Sequence, residues 1–248
     1  MANVLGYLEE SFRRVPERCA VTDDRVSYSY SEFYHLTRRL GSALAERVGQ
    51  RQGVGIYMEK NADAVAAFFG VQWAGGFYSV LNTELPGGRL QQIVAQLDPP
   101  VIVTSRENLP RAREIFPEEK LCCFEDLALH TEDARRLEKI QARAIDTDPL
   151  YVNFTSGSTG VPKGIVVSSR SVLYFIGCFT DLFGITQDDV IANQAPFDFD
   201  VSVKDIYSAM KAGATLAVVP RRLFSVPTQL IDFLCEKKAT TLIWAVSA

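Results

Sequence analysis

The chain has 248 residues, 47% of them hydrophobic, which is enough to bury a core in one or two domains. Its net charge of −4 provides no basic field of the kind that marks a nucleic-acid-binding protein. The five cysteines lack C-x-x-C spacing and only two histidines are present, which argues against a zinc site and is compatible with a cytoplasmic protein. Residues 1–12 carry Glu9 and Glu10 and no long apolar run, which argues against a secretory signal.

Short β-prone runs alternate with longer helical patterns, which predicts an α/β fold of layered, largely parallel sheets flanked by helices. The predicted strands cover residues 54–58, 77–81, 101–104, 121–124, 150–154, 164–167, 190–193, 215–219 and 241–246. The predicted helices cover residues 4–13, 30–47, 62–74, 88–97, 169–183, 202–211 and 227–237. The polar sequence D-T-D-P at 146–149 predicts a boundary between a first α/β subdomain, residues 1–148, and a second, residues 149–248.

Several single residues predict helix ends. Ser31 is expected to cap the second helix, in which Gly41 is the weak point. Ser202 and Asp205 form an S-x-x-D pattern, which predicts a capping box at the start of the sixth helix. Gly213 is expected to end that helix.

Residues 64–81 contain no charged side chain, and a run of this length is the shortest that spans a bilayer. Gly70, Gln72, Gly75 and Gly76 interrupt the run, and its last five residues are β-prone. The segment therefore predicts a buried helix followed by a buried strand, and no membrane span.

Residues 155–164 read T-S-G-S-T-G-V-P-K-G and lie between two apolar runs that we predict to be buried strands. Glycines let backbone N–H groups approach an anion, and consecutive N–H groups in such a turn form an anion-binding concavity. The hydroxyl groups and the charge of Lys163 complete an inventory that suits a polyphosphate. The loop is not a Walker loop, because Pro162 precedes the lysine and Gly164 follows it. A flexible linker would need neither the Pro-Lys-Gly ending nor the flanking strands.

This loop resembles the signature loop of the adenylate-forming enzymes, which include acyl-CoA synthetases, luciferases and amino-acid-activating adenylation domains. The resemblance implies an acetyl-CoA synthetase-like N-terminal region, here incomplete. It implies that the loop holds the β- and γ-phosphates of ATP, with Lys163 as its catalytic group and Thr155 as a ligand of Mg²⁺. The implied nucleotide-binding residues are Thr155, Ser156, Gly157, Ser158, Thr159, Gly160, Lys163 and Gly164.

A second constellation, N-Q-A-P-F-D-F-D-V-S at 193–202, follows a predicted strand and opens a helix. An aspartate held among these aromatic residues is expected to be partly desolvated and to seek a cationic partner. The F-D-V-S segment is similar to the F-D-x-S motif of amino-acid-activating domains, which implies that Asp200 binds the substrate's α-ammonium group. The alternative is that Asp200 caps the helix or interacts with its dipole, whereas Asp198 is expected to be solvated or structural.

The resemblance also implies that Val201 and Lys204 line the substrate side-chain pocket. If Lys204 faces that pocket, an acidic or carbonyl-bearing substrate is favoured; if it lies on the solvated face of the helix, it says nothing about specificity. The segments 27–33 and 73–78 resemble two packing motifs of the family. Two residues depart from the family pattern. Asn82 stands where an Asp is usual, and Ser169 stands where many peptide synthetases have a His. The segment 193–203 is close to the N-Q-A-P-F-x-F-D-x-S-V pattern of D-alanine–carrier protein ligases.

The implied activity is ATP-dependent formation of an aminoacyl-adenylate with release of pyrophosphate, followed by transfer to the phosphopantetheine thiol of a carrier protein. The family's adenine-stacking motif, its ribose-binding aspartate and its main catalytic lysine are absent from these 248 residues. We therefore expect the N-terminal part of a longer enzyme, inactive in pyrophosphate exchange by itself. An acyl- or aryl-CoA synthetase and a non-catalytic adenylation-like binding module remain as alternatives, and Asp200 argues against the first because a fatty acid has no ammonium group.

Overall fold

The computed structural model describes residues 2–156 and 161–244. In this part of the chain the strands are β1 (Cys19–Thr22), β2 (Ser27–Ser29), β3 (Gly53–Tyr57), β4 (Phe77–Val80), β5 (Ile102–Thr104), β6 (Leu121–Cys123), β7 (Pro149–Ser156), β8 (Pro162–Ser168), β9 (Val190–Asn193) and β10 (Thr215–Val218). The helices are α1 (Leu5–Arg14), α2 (Tyr30–Leu44), α3 (Ala62–Trp73), α4 (Gly87–Leu97), α5 (Leu109–Ile115), α6 (Phe124–Ala128), α7 (Ala134–Gln141), α8 (Ser169–Phe183), α9 (Ser202–Ala212) and α10 (Pro227–Glu236). Short 3₁₀ helices cover Glu118–Lys120 and Arg221–Ser225.

The described strands form two sheets. A six-stranded sheet has the order β6-β5-β3-β4-β7-β8, and a four-stranded sheet has the order β2-β1-β10-β9. Neighbouring strands are parallel except for the pairs β7–β8 and β1–β2. The predicted α/β fold with largely parallel sheets flanked by helices is therefore confirmed. Each sheet contains strands from before and after residue 148, so the proposed boundary does not separate the two sheets. The division into subdomains 1–148 and 149–248 therefore stays a prediction.

The uncharged segment 64–81 is a buried helix followed by a strand, as predicted. In α3, which lacks a polar face, every residue except Asp63 is buried. It packs against β3 and β4, and the ring of Phe69 lies 5.7 Å from that of Tyr207 in α9. Across residues 2–156 and 161–244, no helix combines the length and the apolarity needed to cross a bilayer.

Two predicted helix caps are wrong. The N-cap of α2 is Ser29, whose hydroxyl accepts from the Glu32 N–H at 3.1 Å while the Glu32 carboxylate accepts from the Ser29 N–H at 2.7 Å. This capping box leaves no N-cap role for Ser31. The predicted capping box of α9 does not form, because the Ser202 hydroxyl donates to the Phe199 carbonyl at 2.8 Å and Asp205 is buried.

The missed elements have weak local signals. Strands β1 and β2 are only four and three residues long, and they are held by pairing with β10 and with each other. Helix α7 buries only Leu137. Of the strand predicted at 241–246, Thr241 forms one isolated parallel bridge to Ile191, and residues 245 and 246 lie outside the described part of the chain. Gly213, at φ +76°, ends α9 as predicted.

Helices α2 and α3 cross at two glycines. A Cβ atom on Gly41 would lie 2.3 Å from the Cβ of Trp73, and one on Gly70 would lie 2.7 Å from the Cβ of Leu40. Both distances are well below van der Waals contact. Gly41 is thus a requirement of helix packing as well as a weak point of α2.

We expect Gly41→Ala to lower the free energy of unfolding by about 1–3 kcal/mol, because overpacking forces the two helices apart. Gly177→Ala in α8 is the matched control, since no atom lies within 4 Å of the added methyl group. The control should be neutral or should gain about 0.5–1 kcal/mol from helix propensity. Urea unfolding of the two variants measures both effects, and equal stabilities would contradict the close crossing.

Candidate functional site

The carboxyl ends of strands from both sheets meet around a cavity of about 390 Å³. Its lining includes Lys60 and Asn82, which follow β3 and β4, and Gln194, Phe197 and Asp198, which follow β9. In open α/β sheets, ligands bind outside the carboxyl ends of the strands. This edge of the two sheets is therefore where a site is expected.

The β7–β8 hairpin brings Thr155 and Lys163 opposite each other. They are register partners at the end of the hairpin, and both side chains are exposed. The Thr155 hydroxyl donates to the Lys163 carbonyl at 3.5 Å. The predicted phosphate-binding residues Gly157, Ser158, Thr159 and Gly160 lie outside the described residues.

Strand β8 is not buried, contrary to the prediction. Ile165 and Val166 are 54% and 60% exposed. In the described part of the chain β8 is an edge strand with β7 as its one strand neighbour, so less of the chain packs around it than around a central strand. A Cβ atom on Gly164 would lie 3.0 Å from Cγ1 of Val152, so this glycine permits a close approach within the hairpin.

Arg89 is a cation at this site that the sequence analysis missed. Its Nη2 donates to the Thr155 carbonyl at 3.3 Å, which places a guanidinium group beside the end of β7. The one signal in the sequence is that Arg89 is the only charged residue of α4. Together with Lys163 it places two cationic side chains near the base of the loop, and cations of this kind are suited to an anionic ligand.

The turn at residues 194–201 carries Asp200, whose environment differs from the one predicted. Phe197 is buried and its ring lies 5.3 Å from that of Phe68, whereas Phe199 is 56% exposed. Asp200 is exposed, so the expected desolvation by aromatic neighbours is wrong. The reason is that the turn directs Phe197 inward and Phe199 outward. Helix α9 has no side-chain cap, which leaves the capping alternative for Asp200 without support.

Asp200 is close enough to Tyr151 of β7 to affect its ionisation. Burial, and then the negative charge of Asp200, raise the pKa of Tyr151 to about 12. Tyr151 and Thr155 are four positions apart on one strand, so they share a face at a separation of about 13 Å. One strand therefore leads from the neighbourhood of Asp200 to the base of the predicted phosphate loop.

Asp198 has a structural role, in line with the expectation for this residue. Its carboxylate accepts a hydrogen bond of 3.0 Å from the side-chain amide of Asn82. At this contact a second aspartate in place of Asn82 would be a like charge, which disfavours ionisation of both groups.

Lys204 is buried, at 8% exposure, which excludes the solvated face of α9. Its Nζ lies 2.7 Å from Oδ1 of Asp205, and the side-chain amide of Asn193 donates to Oδ2 of Asp205 at 2.9 Å. Burial raises the pKa of the Asp205 carboxyl, and Lys204 opposes that shift most strongly. The buried Oδ1 of Asn193 has no hydrogen-bond partner among the described residues. Val201, at the N-cap position of α9, is 42% exposed.

Comparison with known proteins decides the family. The model of the family described as AMP-binding enzyme matches residues 8–248 of this chain. The chain belongs to the AMP-binding enzyme family.

Relatives within this family include enzymes of peptide synthesis and of carrier-protein loading. Syringomycin synthase SyrB1 of Pseudomonas syringae pv. syringae is 32% identical over 98% of this chain and 40% of its own length. A D-alanine–D-alanyl carrier protein ligase of Lacticaseibacillus casei (strain BL23) is 26% identical over 89% of this chain and 43% of its own length. The chain thus spans less than half of the length of these AMP-binding relatives.

A solved structure shares the fold. A four-domain nonribosomal peptide synthetase bound to AMP and glycine superposes with a TM-score of 0.83 at 23% sequence identity, over 97% of this chain and 17% of that one. The acetyl-CoA synthetase-like arrangement implied by the phosphate loop is confirmed at the level of the fold.

We expect Lys204→Met to destabilise the protein by about 3–5 kcal/mol near neutral pH, because it leaves the Asp205 carboxylate buried without its ammonium partner. The pKa of Asp205, already raised in the folded state, then rises further. A raised carboxyl pKa gives stability at low pH that is lost as the pH increases, so the deficit should be larger at about pH 8 than at about pH 5.

Urea unfolding of Lys204→Met at both pH values tests this expectation. The double variant Lys204→Met/Asp205→Asn is the control, because it removes the buried charge and should recover part of the loss. A deficit that does not change with pH would contradict an uncompensated charge at Asp205.

Proposed function

We propose that this chain belongs to an ATP-dependent ligase that activates an amino acid as its aminoacyl-adenylate. The observation that carries the proposal is strand β7, which leads from Tyr151, whose pKa is raised by burial and by the charge of Asp200, to Thr155, the register partner of Lys163. When an amino acid and ATP are bound together, the ammonium group and the β- and γ-phosphates lie at opposite ends of the reacting groups, and this strand has a carboxylate near one end and cations near the other.

In the proposed reaction the substrate carboxylate attacks the α-phosphorus of ATP. A carboxylate–phosphorus bond forms and the bond to the bridging oxygen breaks, so that pyrophosphate leaves with the electron pair. The substrate itself is the nucleophile, and the protein contributes positioning and charge stabilisation.

Lys163 and Arg89 are proposed to stabilise the negative charge of the leaving pyrophosphate. Residues 156–160 and Gly164 are proposed to contribute backbone N–H and hydroxyl donors. Mg²⁺ would neutralise phosphate charge; the exposed Thr155 hydroxyl is an oxygen ligand of the kind it prefers, and phosphate oxygens and water would supply the others.

Asp200 is proposed to bind the α-ammonium group of the substrate. Its exposure leaves the carboxylate accessible, and the turn 194–201 holds it at the end of β9. Val201 and Lys204 are proposed to shape the side-chain pocket next to it. Because Lys204 is already paired with Asp205, an acidic substrate side chain would have to compete with a carboxylate that is 2.7 Å away.

The partner proposed for the second step is a carrier protein with a phosphopantetheine thiol. The supporting fact is the similarity to a D-alanine–D-alanyl carrier protein ligase and to peptide synthases. The acyl group would pass from the adenylate to the thiol, and AMP would leave.

In a protein that contains the whole ligase, we expect pyrophosphate exchange to depend on an α-amino acid and Asp200→Asn to reduce it about 100-fold or more, because a charge-assisted contact to the ammonium is lost. Asp232→Asn is the control, because Asp232 is an exposed aspartate of α10 outside the cavity lining, and it should change exchange less than about threefold. Exchange with fatty or aryl acids that Asp200→Asn leaves unchanged would indicate an acyl- or aryl-CoA synthetase instead.

We expect Lys163→Met to raise the half-saturating ATP concentration or to lower the exchange rate by about 10–100-fold, because one charge-assisted contact to phosphate is lost. Lys163→Arg should retain more activity, since it keeps the charge. Kinetics at varied ATP concentration separate the two effects. If Lys163→Met changes neither the half-saturating ATP concentration nor the exchange rate, Lys163 does not bind phosphate.

A further inference from the structure

Lys60 is a partly buried lysine in the loop between β3 and α3, outside the motifs predicted from the sequence. Its Nζ donates to three main-chain carbonyl oxygens: that of Asn193 at 2.8 Å, Gln194 at 3.0 Å and Val219 at 2.9 Å. These carbonyls lie at the carboxyl ends of β9 and β10. Lys60 thus extends from the six-stranded sheet to the end of the four-stranded sheet.

Three carbonyl acceptors require three N–H donors, which an ammonium group has and a neutral amine lacks. The ring of Phe197 lies 5.7 Å from the Lys60 Nζ and presents a further favourable contact for a cation. Burial lowers the pKa of Lys60 to about 7, and the charge of Asp205 opposes that shift. The set of three acceptors favours the charged form.

The three bonds are made where the chain leaves the strands. The Asn193 carbonyl also accepts from the Val219 N–H at 3.2 Å, and its second lone pair is available to Lys60. The Gln194 carbonyl lies beyond the last residue of β9. Hydrogen bonds from a charged donor are stronger than neutral ones, so Lys60 stabilises the point at which the chain leaves β9 for the turn.

The same turn is held a second time from the six-stranded sheet. Asn82, in the loop after β4, donates to Asp198 at 3.0 Å. Two successive loops therefore contact the turn 194–201, one at its start and one near its middle. The β7–β8 hairpin belongs to the sheet that carries both loops.

We infer that Lys60 is a positioning residue, which holds the turn 194–201 against the six-stranded sheet and thereby sets the position of Asp200 relative to the β7–β8 hairpin. The inference that Lys60 holds the turn depends only on the contacts above. The inference that Lys60 affects catalysis rests on the proposed function of Asp200.

Hydrogen–deuterium exchange on the whole ligase tests the structural part. In Lys60→Met, the peptide that covers residues 193–201 should exchange about tenfold faster or more, because two charge-assisted hydrogen bonds to this segment and a third to Val219 are lost. Lys211→Met is the matched control: Lys211 also donates to a main-chain carbonyl, that of Gly177 at 3.1 Å, but it links the last turn of α9 to α8, and its hydrogen bonds in the described part of the chain do not involve residues 193–201. It should leave exchange in residues 193–201 unchanged.

Lys60→Arg provides a second test in case the Lys60→Met protein does not fold. A planar guanidinium keeps the charge but does not match three carbonyls arranged around one nitrogen, so the same peptide should again exchange faster than in the wild type. If a folded Lys60 variant shows wild-type exchange in residues 193–201, the inference is overturned.

Pyrophosphate-exchange kinetics test the effect on catalysis. A displaced Asp200 should raise the KM for the amino acid about tenfold, with a KM for ATP that changes less than about twofold. A general loss of stability would lower the active fraction and leave both KM values unchanged. A wild-type ligase without amino-acid-dependent exchange would overturn the proposed function, and the hydrogen-exchange result would still decide whether Lys60 positions the turn.

Discussion

Main-chain carbonyls at the ends of parallel strands must find donors, and in this fold two sheets bring such ends to one place. The Val219 N–H serves the Asn193 carbonyl, but the strand ends offer further acceptor lone pairs. The ammonium of Lys60, which comes from the opposite sheet, donates to three carbonyls at this place. The solution has a geometric result: the turn that follows β9 cannot move independently of the sheet that carries the β7–β8 hairpin.

Charges at this edge are divided between two environments. Lys204 and Asp205 are buried and paired, with Asn193 completing the hydrogen bonding of the carboxylate. Asp200 and Lys163 are exposed. Buried pairs of this kind are costly to break and contribute shape and rigidity, whereas exposed charges are ready to interact with a ligand. The division supports Asp200 and Lys163 as binding groups and gives Lys204 a part in the architecture of α9.

Much of the fold follows from local pattern. Helix α8 and strand β9 have the predicted bounds because capping residues and polar turns delimit them in the sequence. The cap of α2 is also visible in the sequence, because Ser29 and Glu32 have the S-x-x-E spacing of a capping box, which Ser31 lacks. The S-x-x-D pattern at α9 is misleading for a tertiary reason: Asp205 is bonded to Lys204 and Asn193, which no spacing rule detects.

The sequence shows the two halves of the candidate site as motifs, but it does not show how they are placed relative to each other in the fold. The phosphate loop and the F-D-V-S segment are readable because their residue types and order are unusual. The proximity of Asp200 to Tyr151 depends on how β7 and the end of β9 come together, and that pairing is non-local. Arg89 and Lys60 escaped notice for the same reason, since each acts on a segment more than sixty residues away in the chain.

Strand β7 has a consequence for the dimensions of the substrate. Tyr151 pairs with β4 on one side and with β8 on the other, which restrains this strand. The four residue steps from Tyr151 to Thr155 span about 13 Å. If Asp200 binds the ammonium group and Lys163 the pyrophosphate end of ATP, β7 keeps these two binding groups at a nearly constant separation. An amino acid with an extra carbon between amine and carboxylate would then place its carboxylate differently relative to the α-phosphorus.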